Sequence, residues 1–277
     1  MIHKTRRIAI AACLLWLAVP AHAANGIYDI QIDGNEARVD VALGGASATL
    51  TIRFENVVGL NAENLGISVQ LVDPLAPGFV SRLGSGVSLP AALPLVVKIA
   101  PPVNGGLSFS GVVSVELYTH DLQYTIGSPF RLYSSPDGGS FSDITNFVGS
   151  GSIRSGGSKA DFSEFIIAAD VRPLSAVIQS KYSKLASLLN QYAPSMSSSL
   201  QSELVSLYNA STSAYAGGQL VAAITHLEAF AARVVSASGD GLPDVWRSSR
   251  DLTNVAGRLR SAAATLRYSL TLASNAS

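Results

Sequence analysis

From Ile27 to about Asp170 apolar and polar residues alternate with a period of two, the mark of strands that bury one face. Ala37, Val39, Val41 and Leu43 take turns with polar neighbours. Ala48, Leu50, Ile52 and Phe54 do the same, with Ser47, Thr49, Thr51 and Arg53 around them. The pattern returns in Ile67, Val69 and Leu71, in Leu95, Val97 and Ile99, and in Val113, Val115 and Leu117. Asp33-Gly34 and Gly44-Gly45 supply the positive φ angles that tight hairpins require, and Pro77-Gly78, Pro101-Pro102 and Pro136-Asp137-Gly138-Gly139 punctuate the later runs. Many short alternating strands with frequent turns predict an antiparallel β-sandwich, with an open barrel as the alternative that spacing leaves open.

After Arg172 the period becomes helical. Leu174, Val177, Ile178, Leu185, Leu188, Leu189 and Tyr192 form one stripe, opened by Pro173 and closed by Pro194. A second runs from Leu200 through Leu204 and Tyr208 to Tyr215, ending at Gly217-Gly218. A third runs from Leu220 through Leu227 and Phe230 to Val235. The last and longest runs from Val245 through Leu252, Leu259 and Leu266 to Leu270, with Trp246 at its edge covering one end of the helical core. Four amphipathic stripes with short turns predict an antiparallel four-helix bundle. The chain is therefore expected to be an α+β multidomain protein: a signal peptide over residues 1–23, a β-sandwich over 24–171 and a helical bundle over 172–277.

The signal peptide rests on Lys4, Arg6 and Arg7, an apolar run from Ile8 to Val19, and Ala21-His22-Ala23 as a small-x-small cleavage site. Cleavage after Ala23 implies a secreted or periplasmic protein. The run is short of the ~20 residues a membrane helix needs, and no transmembrane segment is expected in the mature chain. Cys13 would be a lipoprotein site only with too short an apolar run before it, so general secretion is the better reading. Removing the peptide removes the one cysteine, which excludes disulfides and cysteine-based metal sites. The formal net charge of zero argues against nucleic acid as a partner. Its division is uneven: residues 24–171 carry 7 basic and 14 acidic groups, a net of −7, whereas residues 172–277 carry 9 and 5, a net of +4. Opposite signs favour docking of the two halves on each other within the screening length.

Phe130-Arg131-Leu132-Tyr133, Pro136 to Thr145, Gly151-Ser152-Ile153-Arg154, Phe162 to Ile167 and Asp170 to Leu174 together carry a resemblance. They resemble a family of uncharacterised secreted bacterial proteins, defined as a domain of unknown function and spanning most of the mature chain. Gly218-Gln219-Leu220 with Ala223, Leu227, Ala229-Phe230 and Val234 is similar to the helical FIMAH modules found at the ends of bacterial surface and polysaccharide-processing proteins. Neither resemblance places a catalytic motif on this chain.

Candidate chemistry is sparse. Outside residues 1–23 the histidines are His120 and His226, too few for a multi-imidazole metal site, and His-Glu-x-x-His is absent. Thr119-His120-Asp121 falls where the strand phase shifts from Val113, Val115, Leu117 to Leu122, Tyr124, Ile126, so a bulge or turn there would expose the imidazole. It could act as a hydrolase base, but no Gly-x-Ser-x-Gly elbow accompanies it. His226 beside Glu228 reads as a solvated helix-flank side chain. Ser238 to Asp244 contains Asp-Gly-Leu-Pro-Asp but offers two carboxylates against an arginine at the closing position of a calcium loop, and reads instead as a helix start at Pro243. Arg247, Arg250 and Arg258 read as a solvated face of the last helix. No catalytic, metal or cofactor-binding residue is assigned. The expected function is a non-enzymatic exported binding or structural protein of the cell envelope or extracellular space, with an unknown protein or glycan partner. The alternatives are a carbohydrate- or envelope-binding module and a hydrolase centred on His120 and Asp121.

Overall fold

The computed structural model describes residues 26–149 and 151–276, and the signal peptide expected at residues 1–23 lies outside them. The strands are β1 (Ile27–Asp33), β2 (Glu36–Leu43), β3 (Ala46–Val58), β4 (Ile67–Leu71), β5 (Val87–Ser88), β6 (Leu95–Ile99), β7 (Ser108–Gln123), β8 (Phe130–Ser135), β9 (Ser142–Asp143), β10 (Thr145–Gly149), β11 (Ser152–Lys159), β12 (Glu164–Asp170) and β13 (Val245–Arg247). Two short helices, α1 (Ala62–Leu65) and α2 (Pro77–Val80), interrupt them. Four long ones follow: α3 (Leu174–Tyr192), α4 (Ser198–Ala216), α5 (Leu220–Ala237) and α6 (Val255–Ala276).

The strands form two antiparallel sheets. The first has the order β1-β2-β3-β7-β11-β10, with β13 also on β7, and the second has the order β4-β6-β12-β8-β9, with β5 on β12. The β2–β3 hairpin closes through Gly44 and Gly45, at φ 60° and 90°, the two left-handed positions that a two-residue turn between twisted strands requires. The alternating residues then all point one way. Val39, Leu50, Ile52, Val113 and Val115 from the first sheet share one core with Leu95, Val97, Ile99, Phe165 and Ile167 from the second.

The second sheet is covered on its other face as well. Ile166 and Ala168 of β12 pack there against Phe79 of α2 and against Phe141. Burial on both faces is why Phe165 to Ala169 reads as a continuous apolar run rather than an alternating one. Arg82 lies over the Phe141 ring at 4.5 Å and ion-pairs with Glu164. The four long helices share a separate core that includes Tyr182, Leu185, Leu204, Leu227, Phe230, Leu259 and Leu266. The stripes expected for α3, α4 and α5 match these elements closely.

The last helix differs from its expectation. It begins at Val255, not near Val245, and residues 244–248 run along the edge of β7 in the first sheet. Val245, Trp246 and Arg247 pair with Ser110, Phe109 and Ser108 of β7, in line with the end of β11. Trp246 is therefore not at the end of the helical core. It stacks on Phe109 (5.3 Å between ring centres, 29° between planes), meets Phe162 edge-on at 5.1 Å, and belongs to the core between the sheets. Leu252 leaves the helical stripe and is 38% exposed. Arg247 lies on β13 and Arg250 in a left-handed turn at φ 61°, so of the three arginines only Arg258 sits on α6. The stripe misled because a three-residue strand is too short to show a period, while Val245 and Leu252 happen to extend the helical spacing of Leu259 and Leu266.

Asn254, fully buried, starts α6 and fixes it to the sheet. Its Oδ1 accepts from Gly257 N at 2.7 Å, an N-cap bond, while its Nδ2 donates to the Gly111 carbonyl at 2.6 Å. Gly111, at φ 75°, bulges β7 at this point, and a side chain on Gly257 would collide with its carbonyl oxygen at 2.6 Å. Arg260 closes the joint with a bidentate pair to Glu55 at 2.8 and 2.6 Å. The line at 171/172 thus separates strands from helices along most of the chain, but residues 245–247 beyond it belong to the first sheet.

Candidate functional site

The residues named from the sequence are not brought together into a catalytic constellation. The register of β7 against β11 shifts at the expected place, from Ile153↔Thr119 to Ser152↔Gln123, and His120 is exposed there. Its Nε2 lies 3.0 Å from the Tyr118 hydroxyl and its Nδ1 2.8 Å from Ser152 Oγ. Sequence reading named no nucleophile, because Ser152 lies 32 residues from His120 and reaches it only across the sheet. Asp121 does not orient this imidazole. Its Oδ2 accepts from the Ser47 backbone N–H at 2.6 Å. A serine–histidine contact on an open sheet surface, with its carboxylate directed elsewhere, lacks the third member that fixes tautomer and direction. His226 lies on α5 in a shallow concavity with Gln219, Val221 and Ser274, and Glu228 beside it pairs with Arg267 at 3.2 Å. Among the described residues α5 is the one helix long and apolar enough to cross a membrane by length and composition, with a mean hydropathy of 1.4. Leu227, Phe230 and Val234, buried in the helical core, account for part of that apolarity.

A different place gathers chemistry. Between β8, β9, the end of β11 and helices α3 and α6 lies a cleft of about 480 Å³, within the size range of small-ligand sites. Each helix contributes one stripe. Val177, Ser180, Lys181, Lys184 and Leu188 follow helical spacing along α3, and Arg258, Ser261, Ala262 and Thr265 do so along α6. Lys159 and Asp161 come from the end of β11 and the turn after it, Asp143 from β9, and Arg172 from the entry to α3. Seven serine and threonine hydroxyls join them: Ser134, Ser140, Ser142, Ser158, Ser180, Ser261 and Thr265.

Most of these charges are held in place. Lys181 and Asp143 form a buried pair at 2.6 Å, with side chains 7% and 5% exposed. The ammonium also donates to the Thr265 carbonyl at 3.2 Å and to Ser269 Oγ at 2.9 Å, which uses all three of its hydrogens. Burial pulls Lys181 below the ordinary lysine range, and Asp143 opposes that shift without reversing it. Tyr133 donates to Asp170 at 2.6 Å, and Arg172 spans both, reaching Asp170 at 2.6 Å and the Tyr133 oxygen at 2.9 Å. Burial, reinforced by Asp170, pushes the Tyr133 phenol well above its usual range, so it stays protonated. Burial would raise Asp170 too, but Arg172 and the Tyr133 hydroxyl hold it below the ordinary carboxylate range.

Elsewhere in the lining Asp161 receives Lys159 on one oxygen at 2.9 Å and Arg258 on the other at 2.7 Å. Burial pushes its carboxyl up, and Lys159, Arg258 and the nearby Lys184 more than offset that, leaving it below its usual value. No carboxylate among the described residues lies within ion-pair distance of Lys184, which is exposed at the rim. Arg258 Nε and Ser261 Oγ are buried without a hydrogen-bond partner among the described residues. None of the lining serines is hydrogen-bonded to a carboxylate or an imidazole among the described residues. Such an arrangement can bind and orient a polar molecule.

The sequence signal for this cleft was present but unspecific: Lys181 within the α3 stripe, Ser180 and Lys184 on its flank, and an arginine and a serine on the flank of the α6 stripe. No curated protein and no solved structure matches the chain. A family model described as a family of unknown function (DUF6689) matches residues 11–274, and the chain therefore belongs to that family.

Proposed function

We propose that this is an exported, non-enzymatic binding protein of the cell envelope or extracellular space, and that its ligand occupies the cleft between the sheets and helices α3 and α6. The observation that carries the reading is the cleft itself, a concavity of about 480 Å³ lined by serine and threonine residues and by charged groups held in ion pairs. Preorganised polar walls favour recognition, since little ordering is left for the ligand to impose. The shared core of the two sheets supports a β-sandwich over an open barrel, and the common core of α3 to α6 supports an antiparallel four-helix bundle. The cleft lies where these two layers meet. Export rests on the basic, apolar and small-x-small pattern of residues 1–23.

A carbohydrate- or envelope-binding role is the second reading, favoured by the exposed hydroxyls of Ser140 and Ser180 in the lining. A hydrolase at His120 has the Ser152 contact in its favour, and Asp121, engaged with Ser47, against it. A screen of the mature chain against neutral and acidic sugars, with ester, peptide and glycoside substrates in parallel, tests the proposal. Binding without turnover is expected. Ser180→Trp, at an exposed position that lines the cleft, should abolish binding while leaving the melting temperature nearly unchanged. Turnover that disappears in His120→Ala would overturn the reading.

A further inference from the structure

Five cations and two carboxylates line the cleft, and Asp170 behind Arg172 neutralises one cation more, so about two positive charges remain uncompensated. Their position can be narrowed. Lys181 has all three hydrogens on fixed acceptors, and Arg172 is bound to Asp170 and Tyr133. The excess therefore lies around Asp161, the single carboxylate near Lys159, Arg258 and Lys184. One carboxylate can balance one of three cations, and like charges this close repel unless a second anion joins them.

We propose that Lys159, Lys184 and Arg258, gathered around Asp161, receive the acidic group of a small hydroxylated organic anion, either a carboxylate or a phosphate ester. Asp161 holds Lys159 and Arg258 in place from behind. Lys184, exposed and without a carboxylate of its own, supplies the free ammonium that recognises the ligand. Ser140 and Ser180 line the same space with hydroxyls that hold no internal hydrogen bond among the described residues, a complement to hydroxyls on the ligand. The volume admits a molecule the size of one or two sugar rings. This inference rests on the cleft being the binding site.

Calorimetric titration of the mature chain with D-glucuronate, D-glucose 6-phosphate and neutral D-glucose tests it. At least one of the two acids should bind and glucose should not, and which acid binds distinguishes carboxylate from phosphate recognition. Binding should weaken as salt is raised. Lys184→Gln should weaken it about tenfold or more, the loss of one charge-assisted hydrogen bond, whereas Lys184→Arg should keep most of it. Both variants should melt with the parent protein, because Lys184 is exposed. If glucose binds as tightly as the acids and Ser180→Trp removes that binding, the anion assignment fails and the cleft stands. If neither acid binds, the anion assignment also fails, and the wider screen decides the cleft by itself. Acid binding that survives both Ser180→Trp and Lys184→Gln would place the ligand elsewhere and sink both readings.

Discussion

Replacing Trp246 by alanine tests the central feature of this architecture, a piece of the helical half built into the core between the sheets. The side chain is 7% exposed and lies in a cluster with Phe54, Phe109 and Phe162, stacked on one ring and edge-on to another. Truncation of a buried large aromatic costs about 3–5 kcal/mol, and the lost ring contacts push the value toward the upper half of that range. For a chain of this size, where each kcal/mol moves the midpoint by roughly 2–4 °C, about 4 kcal/mol lowers the melting temperature by about 10 °C. The measurement is thermal and urea unfolding of the whole mature chain, followed by circular dichroism in strand- and helix-sensitive regions. The two signals should fall together, because the lesion is in the sheet core while the strand that carries it leads directly into α6. Trp246→Phe, which keeps the stack on Phe109, should recover roughly half of the loss. A shift indistinguishable from zero would refute the burial argument. A helical transition that moves while the strand transition keeps its midpoint would show that Trp246 supports the helices instead.

Four further outcomes follow from other contacts of the same structure. Gly257→Ala should destabilise by about 1–3 kcal/mol in urea unfolding despite the better helix propensity of alanine, because the new methyl would stand 2.6 Å from the Gly111 oxygen and 2.8 Å from Ala160 Cβ; a stabilised variant would refute the close approach. Lys181→Met should cost about 3–5 kcal/mol by leaving the Asp143 carboxylate buried without its partner, and adding Asp143→Asn should return much of that, with strict additivity counting against the pair. Glu55, Asp161 and Asp170 all sit below their unfolded carboxyl values, burial being outweighed by Arg260 at Glu55, by Lys159 and Arg258 at Asp161, and by Arg172 at Asp170. Their contribution is fully present above the unfolded range near pH 4 and is lost as pH falls through the lower folded values, so stability should be flat from about pH 5 to 7 and decline below about 4. Arg260→Met should cost about 1 kcal/mol at pH 7, modest because the pair is partly solvated, and that difference should shrink toward zero in acid.

Where burial on one face repeats along a segment, the segment announced itself. Ala37 to Leu43 and Ala48 to Phe54 are strands because alternate side chains enter a core, and α3, α4 and α5 begin and end within two or three residues of the Pro, Ser and Gly signals around them. The Gly44-Gly45 hairpin was equally plain, since its two left-handed angles are a local demand. The uneven division of charge also had a visible consequence. Lys181–Asp143, Arg258–Asp161 and Arg260–Glu55 each join a cation of the helical half to a carboxylate of the sheet half.

Which cation meets which carboxylate is another matter. Arg258 and Asp161 are 97 residues apart and Arg260 and Glu55 are 205 apart, so no local spacing relates them. The cleft was hidden for that reason: apart from Lys181, its polar helix residues occupy the flanks of two helical stripes, where lysine, arginine and serine ordinarily face water. Ser152 and His120 likewise meet only because β11 lies beside β7. β13 is the sharpest case. Val245 to Arg247 make a strand because β7 offers a free edge beyond the end of β11, and Trp246 is buried because Phe109 and Phe162 are there to cover it. Periodicity records the environment a segment has along its whole length. A three-residue strand and a site assembled from five elements have no such length, and their environment comes entirely from chain that is distant in sequence.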